Sequence, residues 1–145
     1  MTTVVVDASV AVSWFLPDEK EGVYSGIFRQ INELEIHVPQ IFYHELSNAF
    51  VMAGKRGRVD SKTLSIILDV VWKLPIRLDS LQSLSVPSYF ESVINLGLVH
   101  HLTVYDAAYL ELAVRLGGVP LLTYDSDLAN VAKKLKIRAL SHART

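Results

Sequence analysis

Val4-Val5-Val6-Asp7-Ala8-Ser9-Val10 decides the architecture of this chain. Three consecutive β-branched residues favour a strand, and the run is too short for a helix. Asp7 closes it. A helical stretch, residues 8–16, follows directly and is stopped by Pro17. A short, wholly apolar strand that hands over to a helix reads as the opening of a βαβ unit, with a strand buried on both faces.

The same alternation continues along the chain. Residues 21–34 read as a second helix, with Val23, Ile27, Ile31 and Leu34 on one face. Residues 36–38 form a short strand before Pro39. Residues 41–53 are helical, with Phe42, Leu46, Ala49, Phe50 and Ala53 on the core side, and Lys55-Arg56-Gly57-Arg58 closes that helix. A helix at 61–74, capped by Asp60 or Ser61 and ended before Pro75, precedes a strand at 76–78. Helices at 88–98 and 104–116 come next, the second ended by Gly117-Gly118. A strand at 121–123, a helix at 126–135 and a strand at 137–139 complete the pattern. Short strands alternating with longer helices predict an α/β fold with a mostly parallel central sheet, covered on both faces. The 145 residues suit one domain, 1–145.

Composition narrows the function classes. Half the residues are hydrophobic and 20% are charged, which describes a packed domain and not a disordered chain. The absence of cysteine excludes disulfides and thiolate zinc sites. It also suits a reducing cytoplasm, the expected location. Asp7 interrupts the first apolar run and no basic residue precedes it, so no secretory signal is expected. Asp69 splits the longest apolar stretch, so no membrane span is expected. A net charge of −1 argues against binding through a broad basic surface.

Four acids stand where such a fold can aim side chains into one cleft: Asp7, Glu45 in H-E-L-S-N-A, Asp106 in V-Y-D-A-A-Y-L, and Asp125 in L-L-T-Y-D-S-D-L. Ligands of open α/β sheets bind beyond the carboxyl ends of the strands, and Asp7 and Asp125 follow strands. Brought together, two like charges at ~4 Å repel by roughly 4 kcal/mol at an effective dielectric of ~20. A hard divalent cation relieves that repulsion. Carboxylates and water suit Mg²⁺ or Mn²⁺, and such centres serve phosphoryl chemistry.

Each acid also has a plain structural reading. Asp7, Asp106 and Asp125 can cap helices, and Glu45 can be a boundary residue. Ser9 and Thr123 can orient the acids or bond the local backbone. Asp127 can favour the positive end of the helix that follows. His100-His101 lacks the spacing of a metal motif and reads as a loop pair. Lys55, Arg56, Arg58, Lys133, Lys134, Lys136 and Arg138 read as solvated helix ends. No nucleophile elbow, P-loop or dinucleotide fingerprint occurs.

Taken in order, D-A-S, H-E-L-S-N-A, Y-D-A-A-Y-L-E-L-A and L-L-T-Y-D-S-D-L resemble the PIN-domain ribonucleases, and most of all the VapC toxins of bacterial and archaeal toxin–antitoxin pairs. The resemblance runs from Val4 to Leu128. It implies a three-layer α/β/α sandwich. It implies a site of Asp7, Glu45, Asp106 and Asp125, with Asp7 and Asp106 as direct Mg²⁺ (or Mn²⁺) ligands and Thr123, Ser9 and Asp127 in support. It further implies cleavage of single-stranded or loop RNA to 5′-phosphate and 3′-hydroxyl ends, a homodimer, and a small protein antitoxin whose C-terminal segment fills the groove. Two alternatives compete: a catalytically silent module acting through a protein partner, and a phosphoaspartate-type hydrolase. The second expects D-x-D after the first strand, where position 9 is Ser9.

Overall fold

The fold was analysed in a computed structural model that describes residues 1–16, 28–81 and 85–140. Five strands form one sheet: β1 (Thr2–Val6), β2 (Leu34–Val38), β3 (Ile76–Leu78), β4 (Leu121–Leu122) and β5 (Ala139–Leu140). Their order is β3-β2-β1-β4-β5, and every pairing is parallel. The described helices are α1 (Ala8–Phe15), α2 (Ile41–Lys55), α3 (Ser61–Val71), α4 (Val86–His100), α5 (Val104–Arg115) and α6 (Ser126–Lys134). This is the α/β class expected from the sequence.

Val4, Val5 and Val6 are all buried. Successive strand residues point to opposite faces, so both faces of β1 are covered. Each such burial contributes about 1.5–3 kcal/mol. The chain runs outward from β1 to β2 and β3, then crosses to the other side of β1 for β4 and β5. Right-handed crossovers place α1–α3 on one face and α4–α6 on the other. The packing agrees: α1 lies against α2, α4 against α5, and α5 reaches both β1 and β4. The reversal of direction beside β1 makes a topological switch point at the carboxyl ends of β1 and β4, the usual ligand position in such sheets.

Several boundaries differ from the sequence reading, and three of them have a readable cause. The helix expected at 21–34 lies largely outside the described residues, but its end is a 3₁₀ turn (Ile31–Glu33), and Leu34 opens β2. Leu34 suits an apolar helix face and an apolar strand equally, and pairing with Thr2 selects the strand. The last strand begins at Ala139 and not at 137. The N–H of Ile137 is taken by the Ala132 carbonyl at 2.9 Å, and that of Lys136 by Lys133 at 2.9 Å. This double closure of α6, with Lys136 left-handed at φ 61°, holds Ile137 in the cap. The fourth helix starts at Val86, earlier than expected, because Ser85 accepts the N–H of Ser88 and Pro87 suits the first turn. Among the described residues, no helix is long and apolar enough to cross a membrane.

One ion-pair network ties the sheet edge to α5. Arg115 donates to both oxygens of Asp79 at 3.1 and 2.5 Å, and to both oxygens of Glu111 at 2.7 and 3.0 Å. Asp79 follows β3, and Glu111 is buried. Arg115→Ala strands two carboxylates in a partly dry site and should cost about 3 kcal/mol, read as a lower urea midpoint at unchanged slope. Arg115→Lys should recover only part of this, because an ammonium cannot fork to both acids.

Candidate active site

Asp7 occupies the residue between β1 and α1, where its N–H donates to the Leu122 carbonyl at 2.9 Å. Position alone would make it the cap of α1, but its side chain makes no capping bond. The carboxylate instead accepts from the Thr123 hydroxyl at 2.6 Å and the Ser9 hydroxyl at 2.9 Å. Those hydroxyls are themselves aimed. Thr123 accepts the N–H of Asp125 at 2.9 Å, and Ser9 accepts the N–H of Tyr124 at 3.2 Å. Each hydroxyl proton is thereby left to Asp7. The loop after β4 thus fixes the acid after β1.

Asp125 does act as a cap: its Oδ1 accepts from the N–H groups of Asp127 and Leu128 at 2.9 and 3.1 Å. Asp127 is exposed in the first turn of α6. Asp106 sits in the first turn of α5, half-buried, and its N–H donates to the Thr103 hydroxyl at 3.1 Å. The turn that delivers Thr103 depends on Gly97. The N–H groups of His101 and Leu102 both donate to the Gly97 carbonyl, and a Cβ at position 97 would meet the Leu102 oxygen at 2.9 Å.

Glu45 projects from α2, half-buried, and accepts the Tyr109 hydroxyl proton at 2.6 Å. The same hydroxyl accepts the N–H of Ala8 at 3.3 Å. Tyr109 is fully buried and so joins α5, α2 and the start of α1. Sequence reasoning did not single it out. Its signal is the spacing to Asp106: three residues along a helix share a face.

The raised carboxyls agree with acids that lie near one another. Burial pushes the Asp7 carboxyl above its ordinary range, and the charge of Asp125 adds to that, against the hydrogen bonds from Thr123 and Ser9. Burial raises Glu45, with Asp7 and Asp106 adding to it. Burial raises Asp106, and Asp125, Asp7 and Asp127 reinforce the shift. Burial and the neighbouring Asp7 and Glu45 raise the Tyr109 phenol as well, keeping it a donor. Among the described residues, the ion pairs lie elsewhere, at Arg115 and around Glu35. Among the described residues, none of the four acids is in an ion pair with a cation.

Among the described residues, no group of three or more His, Cys, Asp or Glu side chains is placed so as to hold a metal ion. The donors are carboxylate oxygens, the kind that a hard cation such as Mg²⁺ takes one or two at a time beside waters and substrate phosphates.

The sequence profile of the PIN domain matches residues 4–134. Ribonuclease VapC3 of Pyrobaculum aerophilum is 34% identical over 128 residues, which span 86% of this chain and 91% of the relative. The crystal structure of PAE2754 from Pyrobaculum aerophilum superposes with a TM-score of 0.65 at 21% identity, covering 95% of this chain and 83% of that one, a likeness of fold. The chain belongs to the PIN-domain family. Within that family it is of the VapC type.

A carboxyl whose pKa is raised by folding binds protons more tightly in the native state than in the unfolded one. Its contribution to stability therefore falls as pH rises from the unfolded value through the folded one. Asp7→Asn keeps an acceptor for Ser9 and Thr123 and removes the charge. In metal-free buffer it should raise stability by about 1 kcal/mol at about pH 8, with the gain shrinking toward about pH 4. Thermal melts of both proteins across that range check it. A loss of stability at the higher pH would show that the Asp7 charge is not under repulsion.

Proposed function

We propose that the chain is a divalent-metal-dependent endoribonuclease that cleaves single-stranded or loop RNA in the cytoplasm, as the toxin of a type II toxin–antitoxin pair. The observation that carries this reading is the like-charge coupling of Asp7, Glu45, Asp106 and Asp125 at the switch point beside β1 and β4. Membership of the PIN family and the likeness to Ribonuclease VapC3 support it.

Bound there, a hard ion of the Mg²⁺ or Mn²⁺ kind would polarise the scissile phosphate and acidify water. Asp7 and Asp106 are the residues proposed to hold it. The Ser9 and Thr123 hydroxyls keep the Asp7 oxygens in one orientation. Glu45, oriented by Tyr109, and Asp125, oriented by the α6 backbone, would accept protons from water. In-line attack at phosphorus would leave 5′-phosphate and 3′-hydroxyl ends.

In Mg²⁺, Asp7→Asn and Asp106→Asn should each lower RNA cleavage at least ~100-fold while the fold persists by circular dichroism. Cleavage by both variants at the wild-type rate would reject the nuclease and favour a silent module acting through its partner.

The homodimer belongs to the same proposal. Val86, Phe90, Ile94 and Leu98 recur every fourth residue on α4 and are 59%, 50%, 50% and 73% exposed. Such a stripe pairs with itself across a two-fold axis. Leu98→Glu should turn a dimer into a folded monomer in sedimentation equilibrium. A monomeric wild type would contradict the assignment. The small antitoxin is expected to occupy the acidic crevice.

A further inference from the structure

A second concavity adjoins the acids. It measures about 310 Å³ and is lined by His100, His101 and Leu102 at the end of α4 and by Asp127, Asn130, Val131 and Lys134 on α6. That volume stands at the small end of ligand pockets, which begin at about 300 Å³. The sequence reading treated His100-His101 as a loop pair and Lys134 as a solvated helix end, and the fold brings them into one wall.

Three observations connect this concavity to the reaction. Asp127, on its rim, donates its N–H to the Asp125 carboxylate, one of the four acids, at 2.9 Å. His101 and Leu102 lead directly into Thr103, the cap that positions Asp106. The wall is also fixed in shape: His101 is held left-handed at φ 56°, and its N–H and that of Leu102 share the Gly97 carbonyl. The larger concavity between α4 and α5, about 590 Å³, has Arg115 as its cation, and that guanidinium is committed to Asp79 and Glu111.

The lining chemistry is that of a nucleotide. Lys134, Asn130 and the imidazoles supply hydrogen-bond donors for a phosphate, while Asp127 supplies an acceptor. A ribose 2′-hydroxyl donates to such an acceptor, and deoxyribose has none to donate. Leu102 and Val131 give an apolar floor. A polyanion entering a crevice of carboxylates also needs positive charge on its flank, and Lys134 provides it. We propose that this concavity is a ribonucleotide subsite, which grips the substrate strand beside the scissile phosphate, with Lys134 and the histidines on the backbone and Asp127 on the ribose. The proposal rests on the ribonuclease reading for its substrate.

The test uses fluorescein-labelled single-stranded oligoribonucleotide of randomised sequence and its deoxyribose counterpart, bound to the full chain carrying Asp7→Asn, so that nothing is cleaved. Lys134→Ala should weaken binding of both about tenfold, with Lys134→Arg restoring it. Asp127→Ala should remove the preference for ribose and leave deoxyribose binding unchanged. In cleavage assays on the Asp7 protein, Lys134→Ala should raise KM at unchanged kcat. Unaltered binding in both alanine variants overturns the subsite, and so does an absence of any RNA binding. RNA cleavage with unaltered binding would discard the subsite alone. Lysine-dependent binding without cleavage by the wild type would keep the subsite and discard the nuclease.

Discussion

The Asp7 carboxylate, 6% exposed and facing other carboxylates, sets the terms for the structure around it. Burial alone opposes its charge, and Asp125 opposes it further. Hydrogen bonds from Thr123 and Ser9 offset part of that penalty and leave the carboxyl raised. The strain is electrostatic, of the kind that a nearby positive charge relieves.

The surrounding architecture serves to hold that arrangement. Parallel pairing of β1 with β4 brings Thr123 beside Asp7, 116 residues away in sequence. Helix α5 contributes at two places. Its first turn carries Asp106 and, one turn on, Tyr109, which ties Glu45 to the start of α1. Its last turn carries Arg115, anchored to the end of β3 through Asp79. The helix is thereby fixed at both ends, and the acids it presents keep their register with those of the sheet.

Local signals were readable in the sequence, and distant ones were not. Val4-Val5-Val6 could only be a buried strand, and the position of Asp7 at its end followed from that. The capping role of Asp125 was equally local, because its partners are two and three residues away. That Asp7 declines to cap could not be read, since it depends on Thr123 across the sheet. Tyr109 escaped for the same reason: its partners lie 64 and 101 residues distant. The apolar spacing at Leu34 does not distinguish a helix face from a strand entry. The left-handed cap at Lys136 uses no glycine, so Ile137 carries no local signal that keeps it out of the strand. The pocket containing His100 and Lys134 required two helix ends to meet, which no spacing rule conveys.

The claim on which all of this turns is that separated acids share one hard cation. Anomalous scattering from crystals of the protein grown with Mn²⁺ measures this directly. The account predicts a manganese peak within coordination distance of the Asp7 and Asp106 carboxylates. A peak confined to other carboxylates, or none at full manganese concentration with RNA bound, would contradict it.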